Sequence, residues 1–489
     1  MGLGLLLLVS VGIENNIINM KPTITFFKKV YRNTTYISNE YLPQYFKSIP
    51  NFGTKQTINI SNNGDMIKDM VLYFELPEIP KSNHNYLPSG IKKFSWVKKI
   101  GYSLIKYIDL EIGGKLISRH YGDWVHINNE LTSSFSNDVT DLYNSSTINY
   151  MDGFQNYKIY IPLHFFFNDN SFALPLIALS KQQIKIHVEI NDFNNCYIES
   201  PSHYYIIDSY ICLYKIDEYI RQNIDGIYSI GQFVYFDVLS RKIYYNMIYG
   251  NFIVPHMCNM DKYKIIGDIT GFITIPRLNS IIYRDENYFN YINPILKESY
   301  LLVNYIYLEA DTRWFFMNTY LEYIVPVVLN VNSDDVTCIN NNYKLQLINC
   351  SEILIWRAQL NSNFINNDHF NYSSLPLTLY EEPLIQSNKL VINSIPRTEI
   401  YNNEYYTYLQ TYINKFRSNK NIYHFSFGIN PLTEDSKGTF NFSMIEDAFI
   451  QLHLNKIVNY KNSVNIKAYS VCFNIFVITN GNGSMKYDL

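Results

Sequence analysis

The chain has 489 residues, of which 47% are hydrophobic, 16% aromatic and 17% charged, and this composition excludes an intrinsically disordered protein. Its 40 basic and 43 acidic residues give a net charge of -3, whereas proteins that coat nucleic acid carry a basic excess, so we predict no direct nucleic-acid binding. The low charge content indicates that much of the surface is buried against neighbouring molecules.

The chain begins with an apolar segment, MGLGLLLLVSVG. The segment lacks the basic residues that open a signal peptide, and it is shorter than the ~20 apolar residues of a membrane-spanning helix. We therefore interpret residues 1–22 as an N-terminal apolar assembly segment rather than as part of a folded domain.

Short alternating or apolar stretches bounded by turn residues predict β-strands along most of the chain. In the first part of the chain the predicted strands are 55–60, 66–76, 157–161, 184–190 and 301–308. In the second part they are 344–348, 351–356, 389–392, 440–442, 450–454 and 466–478. Asn-rich stretches at 330–342 and 361–372 are predicted to be exposed turns. The pattern is typical of an all-β sandwich, and the chain is long enough for two.

Two segments have helical patterns. Residues 123–131 begin with Asp123, a capping-type residue, and place Trp124, Ile127 and Leu131 on one face. Residues 312–324 have room for about three turns before Pro326. We interpret the second helix as the connector between the two sandwiches.

The sequence contains no catalytic-nucleophile, phosphate-binding or metalloprotease motif. His126 and Glu130 are spaced for one helix face, but one histidine and one carboxylate make an incomplete metal site, so an ordinary helix surface is the better interpretation. The cysteines lack a C-x-x-C pair and are typical of free thiols in an intracellular protein.

Three further groups of residues have the chemistry of a possible site. Asp109 and Glu111 share a strand face and precede Gly113-Gly114, which favours the rim of a hairpin over a catalytic carboxylate pair. Asp334 and Asp335 could bind calcium, but paired acids in a polar loop are usually solvated. The two glycines at 481 and 483 indicate a turn, because no helix follows them. We predict no catalytic, cofactor or metal site and no enzyme activity.

Several phrases resemble one protein family when they are taken in order. They are KPTITFFKKVYR at 21–32, GDMIKDMVLYFELP at 64–77, IGGKLISRHYGDWVHINNELT at 112–132, YIPLHFFFNDNSFALPLIALSKQQIKIHVEI at 160–190, YIYLEADTRWF at 305–315, SEILIWRAQ at 351–359 and FSFGINPLTEDSKGTFNFSM at 425–444. Together they resemble the major capsid proteins of nucleocytoplasmic large DNA viruses, the group of mimiviruses, phycodnaviruses and iridoviruses.

The resemblance implies an all-β fold of two consecutive eight-stranded jelly rolls with a few short helices. It implies jelly roll 1 over residues 23–318 and jelly roll 2 over 319–489, with the second roll's strands starting near 327. Residues 191–298 match no known phrase and are interpreted as an insertion between two paired strands of the first roll, 184–190 and 301–308. Apolar runs at 227–238, 243–254 and 265–275 favour a β-rich subdomain on the outer face, although these strands could instead belong to the core.

The implied function is that of a structural capsid protein, a homotrimer that forms pseudo-hexameric capsomers and tiles the icosahedral shell. The implied partners are neighbouring capsomers, minor capsid proteins and the inner viral membrane through the N-terminus, without a cofactor. The implied location is the virion capsid, assembled in the host cytoplasm. Departures such as Asn33 after KKVYR keep a divergent minor capsid paralogue as an alternative. A jelly-roll glycan-binding module is another, whereas a cupin-type enzyme would need clustered histidines.

Overall fold

The computed structural model describes ten ranges of the chain. They are residues 36–79, 92–132, 157–168, 172–256, 260–284, 294–374, 383–417, 421–433, 438–460 and 462–487. The predicted assembly segment at 1–22 and the first quoted phrase at 21–32 lie outside the described residues.

Within the described ranges, the first roll has nine strands before the insertion. They are β1 (Ile37–Tyr45), β2 (Lys55–Asn59), β3 (Met66–Leu76), β4 (Lys93–Trp96), β5 (Ile105–Ile112), β6 (Lys115–Tyr121), β7 (Tyr157–Pro162), β8 (Leu174–Pro175) and β9 (Ile184–Ile190). Helix α1 (Ile100–Leu104) precedes β5, helix α2 (Gly122–Thr132) follows β6, and a 3-10 turn spans Ile177–Leu179.

The next strands belong mainly to the predicted insertion. They are β10 (Tyr197–Ser200), β11 (His203–Ile206), β12 (Tyr219–Ile224), β13 (Ile227–Asp237), β14 (Lys242–Tyr249), β15 (Ile265–Gly267), β16 (Ile273–Thr274) and β17 (Tyr283–Arg284), with 3-10 turns at Phe193–Asn195 and Met260–Tyr263. The chain then returns to the first roll as β18 (Ser299–Leu308), and helix α3 (Ala310–Asn318) follows it.

The second roll contains the remaining strands. They are β19 (Leu321–Val336), β20 (Asn340–Lys344), β21 (Cys350–Leu360), β22 (Ile385–Ile392), β23 (Ile395–Pro396), β24 (Tyr401–Asn402), β25 (Tyr423–Ser426), β26 (Phe440–Asn441), β27 (Ala448–Leu454), β28 (Val464–Thr479) and β29 (Asn482–Met485). Its helices are α4 (Asn361–Ile365), a π-helical turn (Tyr405–Leu409), α5 (Gln410–Asn414) and a 3-10 turn (Phe442–Met444).

The two rolls have the same sheet topology. The first roll pairs β1-β18-β3-β7 in one sheet and β2-β9-β5-β6 in the other, all antiparallel. The second pairs β19-β28-β21-β25 and β20-β27-β22, with β23 and β24 both adding to β22. Even the small strands correspond, since β8 pairs with the start of β3 and β26 pairs with the start of β21. The predicted class, a double jelly roll with a few short helices, is confirmed.

Alternating inward residues build each core. In the first roll Met70 and Leu72 of β3 pair with Val303 and Leu301 of β18, and all four side chains are buried. Full burial of each such side chain contributes about 1.5–3 kcal/mol. Val325 of β19 also lies in this cluster, so the second roll's first strand extends into the first roll's core.

The insertion has a sheet and a core of its own. Strands β11–β17 pair in the order β16-β15-β12-β13-β14-β11-β17 and bury a separate cluster that contains Tyr205, Ile220 and Phe233. Strand β10, by contrast, pairs with β4 of the first roll. The buried side chains of Ile230 and Tyr249 belong to the second roll's core cluster, so the insertion also packs against that roll.

Several sequence expectations are wrong in detail, among them the exposed turn at 361–372, which contains helix α4 and the buried side chains of Asn363 and Asn367. The predicted helix 312–324 ends at Asn318, and the second roll begins at Leu321 rather than near 327, because residues from Leu321 onward pair with β28. The strand expected at 344–348 lies at Asn340–Lys344, and β19 and β20 occupy most of the turn expected at 330–342. Residues 265–275 form two short strands, β15 and β16. Strands β9 and β18 lie in opposite sheets and do not pair with each other.

Candidate functional site

Helix α2 of the first roll packs on the outer face of the second roll's β19-β28-β21-β25 sheet. Trp124, Ile127 and Leu131 lie in one buried cluster with outward residues of β21 and β28, among them Ile355 and Tyr469. The rings of Trp124 and Tyr469 are 5.1 Å apart. The helical spacing seen in the sequence therefore marks the face that joins the two rolls.

A buried ion pair network fixes the first turn of α2 to the same sheet. Oδ2 of Asp123 lies 2.9 Å from Nζ of Lys467 and 3.2 Å from Nη2 of Arg357. Arg357 also donates to Oδ1 of Asn465 over 2.9 Å. Burial opposes ionisation of Asp123, but the charges of Lys467 and Arg357 outweigh it and hold the pKa of this carboxyl well below its usual range.

Sequence reasoning predicted the helix but missed its charged partners. Arg357 and Lys467 are outward-facing charges within otherwise apolar strands, and each is mostly buried. A charged residue inside an apolar strand indicates a buried ion pair. The sequence did not reveal that Asp123 is the partner, because it lies far from both residues in the chain. A cavity of about 560 Å³ adjoins the network, and Asp123, Arg357 and Lys467 line it.

His126 is a packed helix residue rather than a metal ligand. Its ring stacks on Phe370 at 4.2 Å, and its Nε2 lies 2.8 Å from Nζ of Lys99, which also reaches Oε1 of Glu130 at 2.5 Å. Burial and the Lys99 charge lower the pKa of His126 to about 4. Because a cation stands between the histidine and the carboxylate, the pair is an ordinary structural contact.

The other weighed residues also make structural contacts. Asp109 pairs with Arg119 across the β5-β6 hairpin at 2.6 Å, and Glu111 of the same hairpin accepts from Lys185 of β9 at 2.8 Å. The carboxylate of Asp335 accepts from the side chain of Asn361 at 2.6 Å. Gly481, at φ 85°, lies in the tight turn between β28 and β29. Within the described ranges, no group of three or more histidine, cysteine or acidic residues could hold a metal ion.

The described residues expose three apolar surfaces. The first covers α3 and the start of β19, with exposed Trp314, Phe315, Met317, Tyr320 and Ile324. The second is a helical stripe in the second roll that we call the roll-2 stripe, formed by Glu404, Tyr408, Leu409, Tyr412 and Ile413. Large exposed apolar patches typically mark interaction surfaces.

The third surface is the outer face of the β1-β18-β3-β7 sheet, which we call the roll-1 face. Tyr45, Tyr300, Tyr73 and Tyr160 lie directly opposite one another on these four strands. Tyr45 is exposed, Tyr300 and Tyr160 are half-buried, and Tyr73 is buried beneath its neighbours. Neighbouring ring centroids are 6.1, 4.5 and 4.9 Å apart. Burial and the nearby Glu75 raise the pKa of Tyr73 to about 12, and its hydroxyl donates to Oε2 of Glu75.

None of the helices in the described ranges has the length and apolar character that a membrane span requires. The exposed surfaces described above contain aromatic side chains, which are enriched in protein–protein interfaces.

Two family profiles match the chain. The first, the major capsid protein N-terminus, matches residues 25–237. The second, the large eukaryotic DNA virus major capsid protein, matches residues 313–484. Together they cover most of both rolls.

Curated relatives and solved structures agree with the profiles. The chain is 30% identical to probable capsid protein 4 of Acanthamoeba polyphaga mimivirus over 99% of both chains, and 25% identical to the major capsid protein of Phaeocystis pouchetii virus over 99% of both. Among solved structures, a PBCV-1 virus capsid chain has a TM-score of 0.63 at 18% identity, covering 95% of this chain and 100% of that one. The Faustovirus major capsid protein has a TM-score of 0.65 at 11% identity, covering 94% and 93%.

Proposed function

Because the chain belongs to the major capsid protein family of large eukaryotic DNA viruses and has a structural role in the virion capsid, we propose that it acts there as a homotrimer. The three exposed apolar surfaces carry this proposal, since a monomer would leave all of them in water. Three copies of a two-roll chain give six similar rolls around one axis, a pseudo-hexameric capsomer, and closed rotational symmetry is the usual arrangement of identical chains.

Further contacts follow from the same role. We propose that the capsomer tiles the shell by contacting neighbouring capsomers and minor capsid proteins, and that residues 1–22 contact inner components or the inner membrane. We propose assembly in the host cytoplasm, which the free state of the five described cysteines supports. The chain catalyses no reaction in this proposal.

The domain bounds are part of the proposal. We assign 23–318 to jelly roll 1, with the insertion at about 191–298, and 319–489 to jelly roll 2. The separate sheet and core of residues 203–284 support an insertion that folds as one unit. We place it on the outer face of the capsomer.

Native mass spectrometry and sedimentation of the purified full chain test the proposal. We expect a trimer that persists on dilution, and a stable monomer over a wide concentration range would refute it. Counting copies in purified virions by quantitative mass spectrometry separates a principal shell protein from a minor paralogue. The principal protein is expected to outnumber every other capsid chain.

A further inference from the structure

Each roll carries a helix between its fifth and sixth main strands, but only one of the two helices is covered. In the first roll, α2 follows β6 directly and packs on the second roll's sheet. In the second roll, residues 403–414 are helical and follow β24 in the same way. The roll-2 stripe on this helix is exposed to solvent, with 83% of Tyr412 accessible.

The two helices present matching positions. Helix α2 contacts the neighbouring roll through its second, sixth and tenth residues, Asp123, Ile127 and Leu131. Counted from 403, the second, sixth and tenth helical residues of the other helix are Glu404, Tyr408 and Tyr412. An acid followed by two large apolar or aromatic side chains at intervals of four therefore lies on one face of both helices.

The sheets that receive the helices also match, residue by residue. After a β-bulge near the start of each strand, Leu354 of β21 pairs with Ser470, and Met70 of β3 pairs with Val303. Three residues further along, the outward pairs are Arg357 with Lys467 in the second roll and Tyr73 with Tyr300 in the first. The two tyrosines therefore occupy the positions of the two cations that bind Asp123.

From this correspondence we infer that the roll-2 stripe of one chain docks on the roll-1 face of a second copy, with the Glu404 carboxylate accepting a hydrogen bond from Tyr300. The inference rests on the proposed trimer and names the surfaces that close it. Each chain offers one helix and one sheet to different neighbours, so the contact is head-to-tail and closes into a ring only when the rotation allows it. A ring of six rolls has six contacts between adjacent rolls. Three of them are the inferred contacts between chains, and the other three are the contacts between α2 and the second roll within each chain.

A crosslinking experiment tests the pairing directly. In the full chain, Tyr300→Lys places an amine where the second roll has Lys467, and a carbodiimide then joins that amine to the Glu404 carboxylate. We expect linked peptides that combine isotope-labelled and unlabelled chains when the two are mixed before assembly. The matched control, Tyr300→Lys with Glu404→Gln, is expected to lose this peptide. A variant that trimerises without the linked peptide overturns the pairing and leaves the trimer proposal intact, whereas a wild-type monomer overturns the trimer itself.

A second variant decides the matter if Tyr300→Lys does not trimerise. Leu409→Glu with Tyr412→Glu buries two charges in the inferred contact, and we expect the concentration at which trimers dissociate to rise at least about tenfold. The control Leu239→Glu makes the same change at the tip of the β13-β14 hairpin, where 94% of the side chain is exposed, and should leave the trimer unchanged. Equal behaviour of the two variants in sedimentation, with unchanged circular dichroism, would place the interface elsewhere.

Discussion

The contact between α2 and the second roll depends on the charge of Asp123, and Asp123→Asn removes that charge while keeping the shape of the side chain. The substitution leaves two cations facing a neutral amide at a site where Arg357 is 7% exposed and Lys467 15% exposed. Removing one partner of a buried ion pair typically costs about 3–5 kcal/mol. Asn465 still accepts from Arg357, so we expect the lower end, about 3 kcal/mol.

The pH dependence of this contact has a defined sign. Because the folded-state pKa of Asp123 is depressed, its contribution is complete above the usual carboxyl pKa of about 4 and is lost as the pH falls below that value. The difference in stability between wild type and Asp123→Asn should therefore be large at neutral pH and shrink in acid.

Urea denaturation followed by tryptophan fluorescence measures this difference, because Trp124 lies beside the network. The matched control is Asp225→Asn, which removes an exposed ion pair with Lys262 and should not move the midpoint. Equal midpoints for Asp123→Asn and wild type at neutral pH would show that the network does not join the rolls.

Three other outcomes follow from buried groups and from the insertion. Trp124→Ala should cost about 3–5 kcal/mol in the same denaturation assay, since it empties the centre of the α2 contact. Burial lowers the pKa of His120 to about 3, so stability should fall as the pH drops below about 6.5, by roughly 1.4 kcal/mol per unit, and His120→Gln should flatten the slope of a pH series. Replacing residues 203–284 with a Gly/Ser linker should leave a folded trimer by circular dichroism and sedimentation, with lower stability because Ile230 and Tyr249 no longer cover the second roll's core. Loss of all soluble protein would instead assign these strands to the roll.

The strands that bury one face were predictable from the sequence. Met66–Leu76 and Ile184–Ile190 match their predicted bounds because inward residues alternate along them. The helix expected at 312–324 ends early, at Asn318, because Leu321, Tyr323 and Val325 also fit the period of two that is typical of a strand. Pairing with Ile478, Phe476 and Asn474 of β28 satisfies the backbone there, and the strand is the result.

Long-range partners were not predictable in this way. The helical face of α2 was visible in the sequence, but its ion pair partners lie 234 and 344 residues away from Asp123. Local sequence patterns cannot identify contacts between residues that are so far apart in the chain. The repeat of sheet order between the rolls was equally hidden, because equivalent positions such as Tyr73 and Arg357 have unrelated chemistry.

The position of the insertion has a mechanical consequence. The chain enters it from the first roll, yet Ile230 and Tyr249 are buried in the second roll's cluster. A force that pulls the rolls apart must therefore break this contact together with the α2 contact and the shared cluster at Val325, because all three connect the same two bodies in parallel. Parallel restraints share a load, so separating the two rolls requires more force than breaking any one of the three contacts alone.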